Sequence, residues 1–336
     1  MTERSARTVL PGLEHHGLRL MLAVGGALIA GMQFTNPLIA MMAPILAAIV
    51  MAPGSPRPAL PKAIAGPLAV WLAAGAIASV STFLAEQDAA LLALLAVAVF
   101  LCFRNDARKG PSPLTGLVLI LVVAIGPMSA SAAPIADALV EGMATGLLLA
   151  MLAAMLAHAL LPAGGTVRAA SAPFVPDSGL REPLGKTVIL MILVAWFVTS
   201  NKTDGLYILI TAATVLRMPR AGNVAAGLVA SNFVGGALAI GVAGLVLVTP
   251  GDLFAYTSFA AMILVLGLTI EGGGARGAIA QGAVSVAIIL YLLTVLPVDN
   301  SGAYVDRVIE IAATMLYVIL GRALLDPPAR SRALAA

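Results

Sequence analysis

Apolar segments follow one another from Leu18 to Leu325, each long enough to form several turns of helix. No other feature constrains the chain so strongly. A bilayer core about 30 Å thick is crossed by about 20 apolar residues in a helix, and lipid offers no partner to an unpaired backbone group. Only 10% of the 336 residues are charged and 60% are hydrophobic, whereas a soluble domain carries about 25% charge. A β-barrel would need short alternating strands, and the sequence has none of that pattern. The expectation is an all-α, polytopic integral membrane protein of about twelve transmembrane helices.

The spans are expected near 18–35, 38–52, 63–83, 89–103, 114–128, 135–161, 184–200, 205–218, 223–249, 252–270, 275–296 and 304–325. Arg4, Arg7 and Arg19 lead into the first as they would into a signal peptide. Further apolar segments follow it and no small-x-small cleavage site precedes a soluble domain, so it reads as a retained helix. A polar stretch, residues 163–183, joins two sets of six and reads as a linker. The halves are therefore 1–162 and 184–336.

Charge supports this count. With the N-terminus inside, the inner segments hold Arg4, Arg7 and Arg19; Arg57 and Lys62; Arg104, Arg108 and Lys109; Arg168, Arg181 and Lys186; Arg217 and Arg220; Arg276; and Arg322, Arg330 and Arg332. Of the 19 basic residues only Lys202 and Arg307 fall elsewhere. That distribution fits the positive-inside rule with both termini cytoplasmic. The net charge of +3 gives no nucleic-acid surface, because the basic residues lie between spans.

The halves match in order. Arg19 opens one and Lys186 the other; Pro56-Arg57 follows the second span and Pro219-Arg220 the eighth; Asp88 and Asp252 open the fourth spans. Near the end of each half stands D-x-x-x-E-x-x-x-T, as Asp137, Glu141 and Thr145 and as Asp306, Glu310 and Thr314. A spacing of four sets these groups one turn apart on one side of a helix. Six spans per half is an even number, so the two repeats are parallel. The second span, with Pro44, and the equivalent eighth read as short, and the fourth and fifth as only slightly longer. Short or proline-interrupted segments at corresponding places point to a transporter's binding site, although flanking residues could equally complete a tilted helix.

Glu141 and Glu310 are the leading functional candidates, about six residues and so roughly 9 Å inside their spans. Burial disfavours the charged form of a carboxylate, which lets such an acid hold and release a proton. Asp137 and Asp306, one turn nearer the outside, would receive protons first. The structural alternative makes the aspartates N-caps and the glutamates first-turn residues. Arg57 and Arg220 either draw an anion toward a path between the halves or anchor their loops inside. Asn36, Asp204 and Asn232 are further candidates for a substrate path; external turns account for Asn36 and Asp204, and an interhelical hydrogen bond for Asn232. His158 and Arg322 read as matching inner anchors, and Cys102, the one cysteine, as a small packed residue.

Gly179 to Thr187 is not a phosphate loop, because five residues rather than four separate Gly179 from Gly185-Lys186-Thr187. No His/Cys/Glu set has metal-ligand spacing, and no cofactor is indicated. Polar residues within the spans are few and do not group as acid, base and nucleophile, so no enzyme is expected.

Arg19-Leu-Met-Leu-Ala-Val-Gly, Asn36-Pro-Leu-Ile-Ala-Met-Met-Ala-Pro-Ile and the equivalent Asp204-Gly-Leu-Tyr-Ile-Leu-Ile-Thr, set within two six-span halves, resemble the fusaric acid resistance / aromatic acid exporter superfamily. The likeness covers nearly the whole chain as a pattern of spans, and is to short members without the large cytoplasmic domains. It implies a bacterial inner-membrane exporter of small aromatic or related organic acids, working with a periplasmic membrane-fusion adaptor. It assigns no role to individual residues.

The expected function is proton-coupled efflux of a small organic anion by a secondary transporter in the lipid bilayer. A passive anion channel and a non-transporting scaffold of a secretion or efflux complex are the alternatives. Duplication supplies in one chain what two six-span chains would supply as a dimer; a homodimer of the whole chain is also compatible with the sequence.

Overall fold

The structure, a computed structural model, describes residues 15–162, 179–200, 206–217, 222–249, 251–295, 313–314 and 316–323. Their regular structure is helical throughout. The helices are α1 (His16–Gly31), α2 (Pro37–Val50), α3 (Leu60–Phe83), α4 (Asp88–Lys109), α5 (Pro113–Ser131), α6 (Ala133–Leu160), α7 (Arg181–Ser200), α8 (Leu206–Arg217), α9 (Gly222–Val248), α10 (Asp252–Glu271) and α11 (Gly274–Val295). Residues 316–323 are helical as well. Among the described residues, seven helices are long and apolar enough to cross a membrane: α3, α4, α6, α7, α9, α10 and α11. The chain is thus a membrane-embedded, multi-pass helical protein. Four further apolar helices, α1, α2, α5 and α8, are shorter in their apolar parts. Most of the linker expected at 163–183 lies outside the described residues, but Arg181 already opens α7. Gly185-Lys186-Thr187 lies within this helix.

Local chemistry explains the helix ends. Asn36 caps α2, accepting the Leu38 amide at 3.0 Å, and Pro37 occupies the first turn, where its missing N–H costs nothing. Ser112 caps α5 by accepting the Thr115 amide at 3.1 Å. Asp88 and Asp252 begin α4 and α10, where negative charge favours the helix dipole. Gly273 and Gly274, at φ 64° and 63°, turn the chain from α10 straight into α11 through a conformation that side chains resist.

The helix lengths hold one surprise. α2 is short, with 14 residues, and α8 has 12 among the described residues. α4, expected to stop near residue 103, runs on to Lys109 for 22 residues. Hydropathy falls at Arg104, but the helix continues because its polar end finds partners. Asp106 is buried there against Arg217.

The helices gather into two compact units, and each unit draws on both sequence halves. The first contains α1, α2, α9, α10 and α11, with α3 up to Ala69 and α6 from Glu141 onward. Within it α1 packs on α10 and α2, and α11 packs on α9, α10 and α2. Small residues set these approaches. A Cβ on Gly235 of α9 would come within 2.6 Å of the Ala283 carbonyl oxygen of α11. Ser231 of α9 donates to the Ile279 carbonyl at 2.9 Å, and Tyr291 of α11 donates to that of Ala255 at 2.7 Å. The Phe259 and Tyr291 rings meet at 5.0 Å.

The tightest crossing in this unit joins Gly17 of α1 to Gly267 of α10. A Cβ on Gly17 would lie 2.8 Å from the Leu268 nitrogen and 2.9 Å from the Gly267 carbonyl carbon, both backbone atoms. Gly17→Ala is therefore expected to force the helices apart and cost about 1–3 kcal/mol. Gly25→Ala meets nothing within 4 Å and should leave stability unchanged or slightly raised. Thermal unfolding of both variants in detergent checks this; equal melting temperatures would contradict the packing.

The second unit contains α4, α5, α7 and α8, the rest of α3, the start of α6 and residues 316–323. Here α4 packs on α7 and α5, and α5 and α7 both pack on α8. Lys186 lies 5.9 Å from the centre of the Phe103 ring and pairs with Glu182 one turn earlier. Tyr317 donates to the Ile189 carbonyl at 3.0 Å, and Arg322 to that of Leu216 at 2.9 Å. Cys102 is a buried free thiol, as its apolar setting suggested.

Candidate functional site

The site is built on the N-terminus of α2. Asn36 uses its side-chain oxygen on the Leu38 amide, which leaves its amide nitrogen to donate outward. That nitrogen donates to Oε2 of Glu141 at 3.0 Å, across 105 residues of sequence. Two glycines of α6 make this meeting possible. A Cβ on Gly142 would sit 3.0 Å from the Leu38 Cβ, and one on Gly146 would sit 3.0 Å from the Met42 Cβ. α6 consequently lies close against the first turns of α2, and its acid reaches the capping amide.

Asn36 and Glu141, both candidates from the sequence, are thus brought together. Three expectations need correction. Glu141 is exposed at the surface of the chain instead of buried in it, and so is Asp137, because the buried stripe of α6 runs through Ala136, Leu139, Val140, Met143 and Leu147. Asp137 is not an N-cap, because α6 begins four residues earlier at Ala133. For the same reason Glu141 lies about 12 Å along the helix, past the first turn.

Arg57 is exposed in the connection between α2 and α3. Asn232 is half-buried in α9. Asp204, Arg220, Asp306 and Glu310 lie outside the described residues.

Charged residues that sequence reasoning passed over make two further groups. In the second unit, Arg217 at the end of α8 donates to Asp106 from Nε at 2.7 Å and from Nη2 at 3.3 Å, and from Nη2 to the Ser112 carbonyl at 2.6 Å. Asn105 donates to the Thr115 hydroxyl at 2.9 Å beside them. The one signal in the sequence was Asp106 standing alone among Arg104, Arg108 and Lys109. In the first unit, Glu271 at the end of α10 accepts the Gly17 amide at 2.6 Å and so caps α1 from another helix. This compensates for His15, which precedes α1 at φ 59° without a side-chain cap. His16 and Arg19 are buried in the first turn of α1. Among the described residues no group of three or more His, Cys, Asp or Glu could hold a metal ion.

No protein-family model matches the chain, and no curated protein or solved structure matches it.

Proposed function

We propose that the chain is a secondary transporter of the inner membrane that couples proton entry to efflux of small aromatic or related organic acids. The observation that carries this reading is the Asn36–Glu141 hydrogen bond. It ties a carboxyl group on a membrane-length helix to the cap of a short helix that contains Pro44. Helix ends next to interrupted segments are where transporters place coupling and substrate groups. A carboxyl group that gains and loses a proton at this joint would change how firmly α2 is held to α6.

The reading includes twelve spans in two parallel repeats, with both ends inside. Corresponding packing supports the duplication. α1 lies on α10 and α4 on α7, which pairs the first span of each half with the fourth of the other. α2 lies on α11 and α5 on α8, which likewise pairs second with fifth. Apart from Ala48, the buried positions of α2 (Ile39, Ala40, Ala43, Pro44, Leu46, Ala47) have the same spacing as those of α8 (Ile208, Leu209, Ala212, Ala213, Val215, Leu216). Glu310 is the repeat counterpart of Glu141. Membership of the fusaric acid resistance superfamily, and a periplasmic adaptor as partner, follow from the sequence resemblance and are part of the proposal.

Purified protein in liposomes with an internal pH dye tests it. Addition of aromatic acids is expected to produce proton flux that depends on the acid. Anion current without proton movement would overturn the coupling and leave the channel reading. The channel reading draws its support from the buried positive charge of Arg19 in the first unit.

A further inference from the structure

We infer that the N-terminal turn of α1 binds an oxyanion, the carboxylate of an organic acid or the phosphate of an anionic lipid, on the side chains of Arg19 and His16. This deepens the transport reading and rests on it for the ligand being a transported acid; the binding chemistry stands on the residues themselves.

Arg19 is only 2% exposed and His16 only 3%. Among the described residues Nε and Nη1 of Arg19 and Nε2 of His16 have no hydrogen-bond partner. A guanidinium cannot shed its proton, so a buried one needs acceptors or a counter-ion. Buried polar groups in proteins are almost always paired, and the exceptions call for a specific explanation. Arg217 shows how this chain satisfies a guanidinium when pairing serves the fold, with a bidentate carboxylate and a carbonyl.

The surroundings of Arg19 favour an anion. The acid that acts on Arg19 is Glu271, and it is held at the Gly17 amide. Glu271 gives that amide one carboxylate oxygen, Oε1, and the buried guanidinium keeps Nε and Nη1 without acceptors among the described residues. The positive end of the α1 dipole adds to the field. A planar carboxylate or a phosphate would supply the acceptors that Nε and Nη1 lack, with charge-assisted bonds in a setting poor in water.

Arg19→Met separates this role from a structural one. Methionine keeps much of the length and removes the unpaired charge. Without an anion the variant should melt at the same or a higher temperature than the parent, because replacing a poorly compensated buried charge by an apolar side chain relieves its desolvation. Benzoate should raise the melting temperature of the parent in phosphatidylcholine nanodiscs and bind it saturably. Arg19→Met should weaken that binding roughly tenfold or more, the scale of a lost charge-assisted hydrogen bond. His16→Gln should weaken it less.

If phosphatidylglycerol discs stabilise the parent and not the variant, while benzoate does neither, the oxyanion is a lipid phosphate. The inference is overturned if neither benzoate nor phosphatidylglycerol affects the parent, whatever the melting temperature of Arg19→Met. It is also overturned if benzoate binds parent and variant alike. Arg19-dependent binding without flux in liposomes would retain the site and remove the transport reading. Flux and benzoate binding unchanged in Arg19→Met would do the reverse.

Discussion

Asp106→Ala is expected to lower the stability of the chain by about 3–5 kcal/mol, the cost of removing one partner from a buried ion pair. The carboxylate takes two hydrogen bonds from Arg217, and among the described residues only the Ser112 carbonyl would remain for the guanidinium. The charge has little freedom to escape. Gly116 lies so close that a Cβ there would overlap the guanidinium itself. The pair fastens the end of α4, and the turn that leads from it into α5, to Arg217 of α8, which is 111 residues from Asp106. Removing both charges, as Asp106→Leu with Arg217→Met, should recover most of the loss, because two apolar groups need no pairing. The measurement is thermal or denaturant unfolding in detergent, read as a double-mutant cycle. A single variant as stable as the parent, or a double variant no better than the single, would show that the pair is a surface contact of little weight.

Glu141→Gln combined with Glu310→Gln is expected to reduce substrate-driven proton flux to the level of protein-free liposomes. Glutamine fills almost the same volume, and its amide oxygen can still accept from Asn36, so the seat of α6 on α2 survives. What is lost is the ability to carry a proton. Glu141→Gln alone tests the half of the mechanism whose geometry is described, through the 3.0 Å bond to Asn36. Asn36→Ala makes a useful companion. It removes both the N-cap, worth about 1 kcal/mol, and the partner of the acid, while leaving the acid itself. Insertion and melting temperature near the parental values are needed in the glutamine variants for the flux to be interpretable. Full flux in the double variant would return both glutamates to a structural role.

The membrane character of the chain was fixed by amino-acid sequence alone. Long apolar segments have no other stable environment, and this holds whatever packs on them. Helix starts at Pro37, Asp88 and Asp252 were equally legible, because proline geometry and the helix dipole act within a single turn. The shortness of α2 followed from local hydropathy for the same reason. Hydropathy failed at the end of α4, where Asp106 keeps the helix going through a partner 111 residues away. It also failed for the acids of α6. A spacing of four correctly put Asp137 and Glu141 on one side, but which side of a helix is buried depends on what packs against it. Gly142 and Gly146, pressed on α2, decided that. The joining of Asn36 to Glu141, the capping of α1 by Glu271 and the burial of Arg19 all arise from residues more than 100 positions apart or from a helix crossing. One-dimensional periodicity states which residues share a face; only the three-dimensional packing states what that face meets.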